Sequence, residues 1–330
     1  MCKVIAEIGS VHDGSFGNAL NLINEIANCG AWGVKFQHHI ASEETTPLAP
    51  SPDYFKGEER YSYFERTSFS RNQWRCLYER SKDIGLKFIV SPFSIASLKE
   101  IIETGVDYIK VASGEITNIP LLEEIRLSGK RTMMSSGMSS INELALAVEA
   151  LGDSLEVLMQ CTSEYPCKPE NVGLNNIAKL SQIGKCKRGL SDHTIGNVAG
   201  ILSVANGAEY IEKHVTYSRK MYGSDAKHSM ELEEFKIFTQ QIKEAECMVK
   251  TSVDKNIMCS NLKDMKKTFE KSIVYINNYD KGHVLIDSDL GFKKPGDGLS
   301  ASLLNTLIGK KLLRSVSYDE KVQLEDLGSE

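Results

Sequence analysis

The chain has 330 residues, 41% of them hydrophobic and 25% charged, a soluble globular composition long enough for one large α/β domain and a small one. A net charge of −5 gives no electrostatic footprint for nucleic acid. No apolar run approaches the roughly 18 residues of a membrane span, so no membrane partner is expected.

In chain order, strands are expected at 4–8, 33–37, 87–91, 108–111, 132–135, 156–160, 188–190 and 209–212. Helical spacing of apolar residues marks 17–29, 71–84, 95–103, 140–151 and 195–206, with Leu20, Ile23 and Ala27 on one face of the first. Short continuous apolar strands alternating with helices predict parallel strands covered by helices. Eight such units in about 250 residues fit a (β/α)8 TIM barrel. A doubly wound open sheet is the rival, but no Gly-x-Gly-x-x-Gly follows the first strand. The Pro-, Ser- and Tyr-rich stretch 41–70 reads as a long functional loop after the second strand. The barrel is expected to span 1–250, a polar linker 251–267, and a small domain rich in strands and turns 268–330.

A first strand beginning at Lys3 leaves no room for a signal peptide. Eight scattered cysteines, with no Cys-x-x-Cys pair, read as reduced thiols, so a cytoplasmic enzyme is expected. Cys161 ends a strand, but no histidine lies near it in sequence, and it reads as an inert buried thiol.

Barrel active sites gather residues from the C-terminal strand ends. Two histidines end neighbouring strands here: His193 in Gly189-Leu190-Ser191-Asp192-His193-Thr194 and His214 in Tyr210-Ile211-Glu212-Lys213-His214. Neutral imidazole is the commonest protein metal ligand, and the pair amid Asp192, Glu212 and Lys213 is read as a divalent-metal site. Glu7, Lys35, Gln37, Lys110, Ser113, Glu115, Ser135, Ser136, Thr162, Ser163, Tyr165 and Asp225 fall at the other strand ends or the loops after them. Lys35 and Lys110 lie within apolar strands, where an unpaired ammonium is costly. They are either paired with Glu7 or Glu115, or they bind an anion together with the serine hydroxyls. Ser113, Ser135 and Ser136 are equally suited to capping helices. Glu7 and Glu115 could pair the lysines, ligate metal or move protons. The sum is a metal-assisted reaction on an anionic, phosphorylated substrate.

Several of these segments resemble the sialic acid synthase family: Ala6-Glu7-Ile8-Gly9-Ser10-Val11-His12-Asp13-Gly14, Val34-Lys35-Phe36-Gln37, Lys110-Val111-Ala112-Ser113-Gly114-Glu115, Ser135-Ser136-Gly137-Met138, 189–196 and Glu212-Lys213-His214. Lys294-Pro295-Gly296-Asp297-Gly298 and Leu307-Ile308-Gly309-Lys310-Lys311 resemble its C-terminal antifreeze-like (SAF, β-clip) domain. The resemblance implies a TIM barrel followed by that domain, in a domain-swapped homodimer serving cell-surface polysaccharide biosynthesis. It implies condensation of phosphoenolpyruvate with an N-acylated sugar, N-acetylmannosamine or a diacetamido sugar, giving a nonulosonic acid and phosphate. C3 of phosphoenolpyruvate attacks the open-chain aldehyde, water adds at C2, and phosphate leaves with C–O cleavage. It implies a divalent metal on His193 and His214, typically manganese, with magnesium or cobalt as alternatives. Lys35, Lys110, Ser113 and Ser135 match phosphoenolpyruvate-binding positions; Gln37, Glu115, Tyr165 and Asp225 match positions around the sugar and reacting centre. Glu7 matches a carboxylate given a proton-transfer or metal-water role. Lys294 stands where many members carry an arginine that reaches the partner's sugar, and Ser163 stands where members often have asparagine. A metal-dependent aldolase or sugar-phosphate isomerase on the same barrel is the alternative, and a decayed, non-catalytic barrel a third.

Overall fold

The computed structural model describes residues 1–50, 58–180 and 182–328. The chain divides into two compact units, Met1–Thr251 and Ser252–Glu330.

The first unit runs β1 (Lys3–Gly9), α1 (Phe16–Asn28), β2 (Gly33–His38), α2 (Ala41–Glu44), α3 (Arg60–Thr67), α4 (Arg71–Asp83), β3 (Lys87–Pro92), α5 (Ile95–Thr104), β4 (Tyr108–Val111), α6 (Ile119–Leu127), β5 (Arg131–Ser135), α7 (Ile141–Leu151), β6 (Leu155–Cys161), α8 (Asn176–Leu180), β7 (Lys187–Asp192), α9 (Val198–Ala205), β8 (Tyr210–Thr216), β9 (Met230–Glu231) and α10 (Leu232–Lys250). Strands β1 to β8 pair in sequence order, all parallel, and β1 pairs with β8 to close the barrel. The expected TIM barrel is therefore present. The eighth strand is longer than its sequence signal, because β9 pairs with its far end (Val215↔Met230, Thr216↔Glu231). His214 consequently sits within a strand rather than beyond one.

Side chains alternate between the two faces of a strand, and that alternation builds two cores. Residues facing the helices join α1, α4, α5, α7 and α10 in the main core, including Val34, Phe36, Val90, Leu158 and Ile211. Residues of opposite parity point inward: Ile5, Ile89, Tyr108, Met133, Val157, Met159 and Tyr210 form a dry floor, with Trp32 packed against it. Two positions further along the same strands the inward residues turn polar: Glu7, Ser91, Lys110, Ser135, Cys161 and Glu212. The apolar floor thus ends where the chemistry begins.

Helix starts follow ordinary capping physics. Ser70, Ser94 and Ser140 form capping boxes with Gln73, Ser97 and Glu143. Ser113, Ser135 and Ser136 do not cap the α-helices that follow. Asn118 and Ser140 do, which leaves Ser113 and Ser135 to the cavity, while the Ser136 hydroxyl accepts from Cys161 N. The stretch expected as one long loop, 41–70, folds in part as α2 and α3, whose Ala41, Tyr63 and Phe64 pack together; 51–57 of it lie outside the described residues.

The second unit begins with α11 (Lys255–Asn261) and α12 (Lys263–Phe269), which occupy most of the stretch read as a linker and have no buried residue. Asp254 caps the first of them through Asn256 and Ile257. Then come β10 (Ser272–Tyr275), β11 (Leu290–Lys293), α13 (Leu304–Leu307), β12 (Lys311–Leu312) and β13 (Leu327–Gly328), in two antiparallel pairs around Ile273, Tyr275, Leu285, Leu307, Leu312 and Val322. Among the described residues no helix is long and apolar enough to cross a membrane.

Because the floor of the barrel is fully enclosed, Ile89→Ala should lower unfolding free energy by about 2–5 kcal/mol in urea titration; a change under about 1 kcal/mol would mean that the floor is loosely packed.

Candidate active site

The polar ends of the inward positions open into a cavity of about 590 Å³ at the C-terminal face of the barrel. Glu7, Lys35, Gln37, Lys110, Ser113, Glu115, Ser135, Ser163, Tyr165, His193, His214 and Asp225 all line it. Lys294 belongs to the second unit, where its ammonium lies 5.1 Å over the Phe269 ring.

At the bottom, Glu212 Oε1 lies 2.7 Å from Lys35 Nζ, and Glu212 Oε2 lies 3.0 Å from Lys110 Nζ. Glu7 Oε2 is 3.5 Å from Lys35. The pairing expected between the lysines and Glu115 does not occur. Glu115 stands at the rim on the 3-10 turn Ser113–Glu115 and accepts from Asn118 Nδ2 at 2.8 Å. Glu212 was overlooked as their partner, although it has the strand parity of His214 two residues on. Burial opposes the charge of Lys35, but Glu212 and Glu7 raise its pKa above the ordinary value; burial lowers that of Lys110, against the pull of Glu212. Burial pushes the Glu7 carboxyl from 4.5 to about 7, with Lys35 opposing. With Glu7 protonated, one carboxylate between two ammoniums leaves positive charge uncompensated. The Ser91 and Ser135 hydroxyls beside it are buried without hydrogen-bond partners. That is a pocket for an anion with several oxygens.

The two histidines line the same cavity, His214 two residues beyond Glu212 on β8. Their ring centres are 5.7 Å apart. His193 Nδ1 donates to the Thr162 carbonyl at 2.9 Å, which turns Nε2 toward the Tyr165 hydroxyl at 3.3 Å, and the Tyr165 ring stacks at 4.2 Å. His214 Nδ1 is buried with no hydrogen-bond partner. Burial lowers its pKa to about 4, so the imidazole is neutral at physiological pH. A first-row ion sits about 2.1 Å from an imidazole nitrogen, on the order of 3 Å from a ring centre, so the observed spacing accommodates one ion between the rings. Among the described residues no cluster of three or more His, Cys, Asp or Glu side chains marks a metal position. What the chain itself would bring to an ion between the rings is two imidazoles.

Asp192 and Lys213, adjacent in sequence to the histidines, serve them indirectly. Their parity is opposite to that of Glu212 and His214, and they pair with each other at 2.8 Å. Asp192 also accepts from Thr194 N and Oγ, and Lys213 donates to the Thr194 carbonyl, so the pair braces the turn that carries His193.

Asp225 approaches from the loop after β8. Its Oδ2 accepts from Ser10 N and Oγ, both at 2.9 Å. Burial works against its charge, yet His214 and these bonds lower its pKa. The approach requires Gly9: at φ +53° a Cβ there would lie 2.4 Å from Asp225 Oδ2. Gly137 similarly admits Ser163 and Ser113, whose hydroxyls would stand 2.2 and 2.7 Å from its Cβ. Cys161, read as isolated, has His193 Nδ1 3.8 Å from its sulfur. Burial would raise this thiol, but His193 brings it down to about 7. Sequence distance hid this contact, because it joins β6 to the turn after β7.

Glu7 is protonated more readily in the folded protein than in the unfolded chain, so its contribution to stability is present below about pH 4.5 and lost as pH rises through about 7. In metal-free buffer, wild type should lose stability relative to Glu7→Gln between pH 5 and 8 in parallel urea titrations; a constant difference would contradict the raised pKa.

A family model described as the NeuB family matches residues 22–254. An uncharacterised protein of Methanocaldococcus jannaschii is 33% identical over 98% of this chain and 94% of its own length. N,N'-diacetyllegionaminic acid synthase of Legionella pneumophila is 30% identical over 96% of this chain and 92% of its own. The crystal structure of N-acetylneuraminic acid (sialic acid) synthetase from Leptospira borgpetersenii in complex with citrate aligns with a TM-score of 0.70 at 27% identity, covering 81% of this chain and 92% of that one.

Proposed function

The chain belongs to the NeuB family, that of the sialic acid synthases, and is a transferase of that type; from that premise we propose that it condenses phosphoenolpyruvate with an N-acylated aldose to give a nonulosonic acid and phosphate. The observation that carries this reading is one cavity lined by both a two-lysine anion pocket and two metal-competent imidazoles. In this reading Lys35, Lys110, Ser113 and Ser135 bind phosphoenolpyruvate. Gln37, Ser163, Tyr165 and Asp225 hold the sugar, and Glu115 serves at the reacting centre from the rim.

His193 and His214 would hold the divalent ion, manganese by preference, which when bound supplies Lewis-acid polarisation of the sugar aldehyde. C3 of phosphoenolpyruvate forms the new bond to the aldehyde carbon, whose oxygen takes up a proton. Water adds at C2, and Glu7, with a pKa near 7 and Oε2 without a hydrogen bond, accepts its proton. The C2–O bond then breaks as the C2 hydroxyl becomes a carbonyl, its proton leaving with phosphate, while the proton held by Glu7 replaces the one taken up by the aldehyde oxygen; Lys35 and Lys110 receive the phosphate charge. The second unit, read as an antifreeze-like domain in a swapped homodimer, would bring Lys294 to the partner's sugar as a single point charge rather than a guanidinium fork. The reading places the enzyme in the cytoplasm, supplying cell-surface polysaccharide. The 30% identity to the Legionella synthase makes a diacetamido sugar the first acceptor to test, with N-acetylmannosamine the second.

Purified protein with manganese and phosphoenolpyruvate should release phosphate with at least one such sugar; silence across the panel would overturn the reading. His214→Ala should abolish this turnover while circular dichroism stays native, and full activity in added metal would remove the metal from the account. Lys294→Ala should raise the KM for the sugar more than that for phosphoenolpyruvate; equal effects would contradict its place at the sugar.

A further inference from the structure

His39 follows β2 at the cavity wall, and no step of the condensation uses it. Its ring lies between two phenyl rings: Phe64 of α3 at 3.8 Å and 4°, and Phe93 after β3 at 4.2 Å and 17°. Each ring nitrogen has a side-chain oxygen within hydrogen-bond distance. Nδ1 is 2.7 Å from Glu44 Oε1, and Nε2 is 3.3 Å from Gln37 Oε1. Gln37 in turn donates from Nε2 to Glu7 Oε1 at 2.7 Å. The result is a directed chain from Glu44 through His39 and Gln37 to Glu7.

We propose that His39 is a positioning residue that fixes the Gln37 amide and, through it, presents Glu7 Oε2 to the reacting centre. The inference rests on the synthase reading above. A glutamine amide has two orientations of nearly equal shape, with oxygen and nitrogen exchanged. Only one of them donates to Glu7. The other sets an oxygen against Glu7 Oε1 at a distance that two oxygens tolerate only with a proton between them. The N–H of His39 selects the donating orientation, because it needs an oxygen opposite it. Glu44 fixes the rotation of the ring, and the two phenyl faces fix its plane. Glu7 Oε1 is thereby committed, and Oε2 stays without a hydrogen-bond donor, 3.5 Å from Lys35. A space-filling role would be met by any flat ring between Phe64 and Phe93. A positioning role needs an N–H at the end of the ring that faces Gln37 Oε1.

The manganese-loaded enzyme distinguishes the two roles. His39→Ala opens a flat slot between the phenyl rings and should lower kcat by about 10²-fold, the cost of a misplaced catalytic group, with the KM for phosphoenolpyruvate little changed. Free imidazole should restore most of that loss, and thiazole, a ring of the same shape without N–H, should restore none. His39→Phe fills the slot, keeps the fold if the alanine variant does not, and should be as slow and indifferent to imidazole. Selective 15N-glutamine labelling reads the amide without turnover: the Gln37 NH2 pair should be strongly inequivalent in wild type and collapse toward the free-amide position in His39→Phe. Wild-type kcat in His39→Phe, equal rescue by thiazole, or an unchanged Gln37 signal would each overturn the proposal. Absence of turnover in wild type across the sugar panel would overturn the synthase reading instead, and the Gln37 spectrum would still judge the positioning role.

Discussion

The contact on which the rest depends is the buried carboxylate of Glu212 between the ammoniums of Lys35 and Lys110. Charges this deep are costly unless paired and fully hydrogen-bonded. Glu212 meets that demand with two lysines and the Ser191 hydroxyl, which lies 3.2 Å from Oε1. Removing it would leave two like charges facing each other without water. Keeping it holds both ammoniums at fixed places above a dry floor, with one positive charge in surplus while Glu7 is protonated. The same burial that strengthens these pairings raises the Glu7 carboxyl to about 7 and lowers His214 to about 4, so one desolvated layer holds two ammoniums, a carboxyl that titrates near neutrality and a neutral imidazole.

Parallel-strand alternation makes this layer possible. In β1, β4, β5 and β8 the floor residue and the polar residue of the cavity are two positions apart: Ile5 and Glu7, Tyr108 and Lys110, Met133 and Ser135, Tyr210 and Glu212. The intervening residue faces the helices. Asp192 and Lys213, on that outer parity, steady the His193 turn without entering the cavity. A one-residue slip of any strand would exchange these sets, which ties the register of the sheet to the chemistry.

Much of this was legible in the sequence, because apolar strand runs separated by helix-length stretches leave few architectures open, and polar residues at their C-terminal ends then have one place to go. Of the barrel residues at those ends, all but Ser136 and Thr162 line the cavity; Ser136 accepts from Cys161 N and Thr162 donates to the Asn171 carbonyl instead. What the sequence hid was pairing across distance. Glu212 was read as a neighbour of His214 rather than as the partner of lysines 177 and 102 positions away. Cys161 was set aside for want of a nearby histidine, yet adjacent strands bring His193 to it. His39 carried no signal, since its meaning comes from Phe64, Phe93 and Glu44 on three other segments. Strand parity could have retrieved Glu212, Ser91 and Ser191; nothing in the local sequence could have retrieved the aromatic sandwich.

The central claim is that the paired lysines form the phosphoenolpyruvate site. Calorimetric titration of phosphoenolpyruvate into the manganese-loaded protein tests it most directly when wild type is compared with Lys110→Met, which keeps the length of the side chain and removes its charge. The account predicts saturable one-site binding in wild type and at least about a tenfold loss in the variant, a difference of 1.4 kcal/mol or more. Equal affinity in both proteins would contradict it.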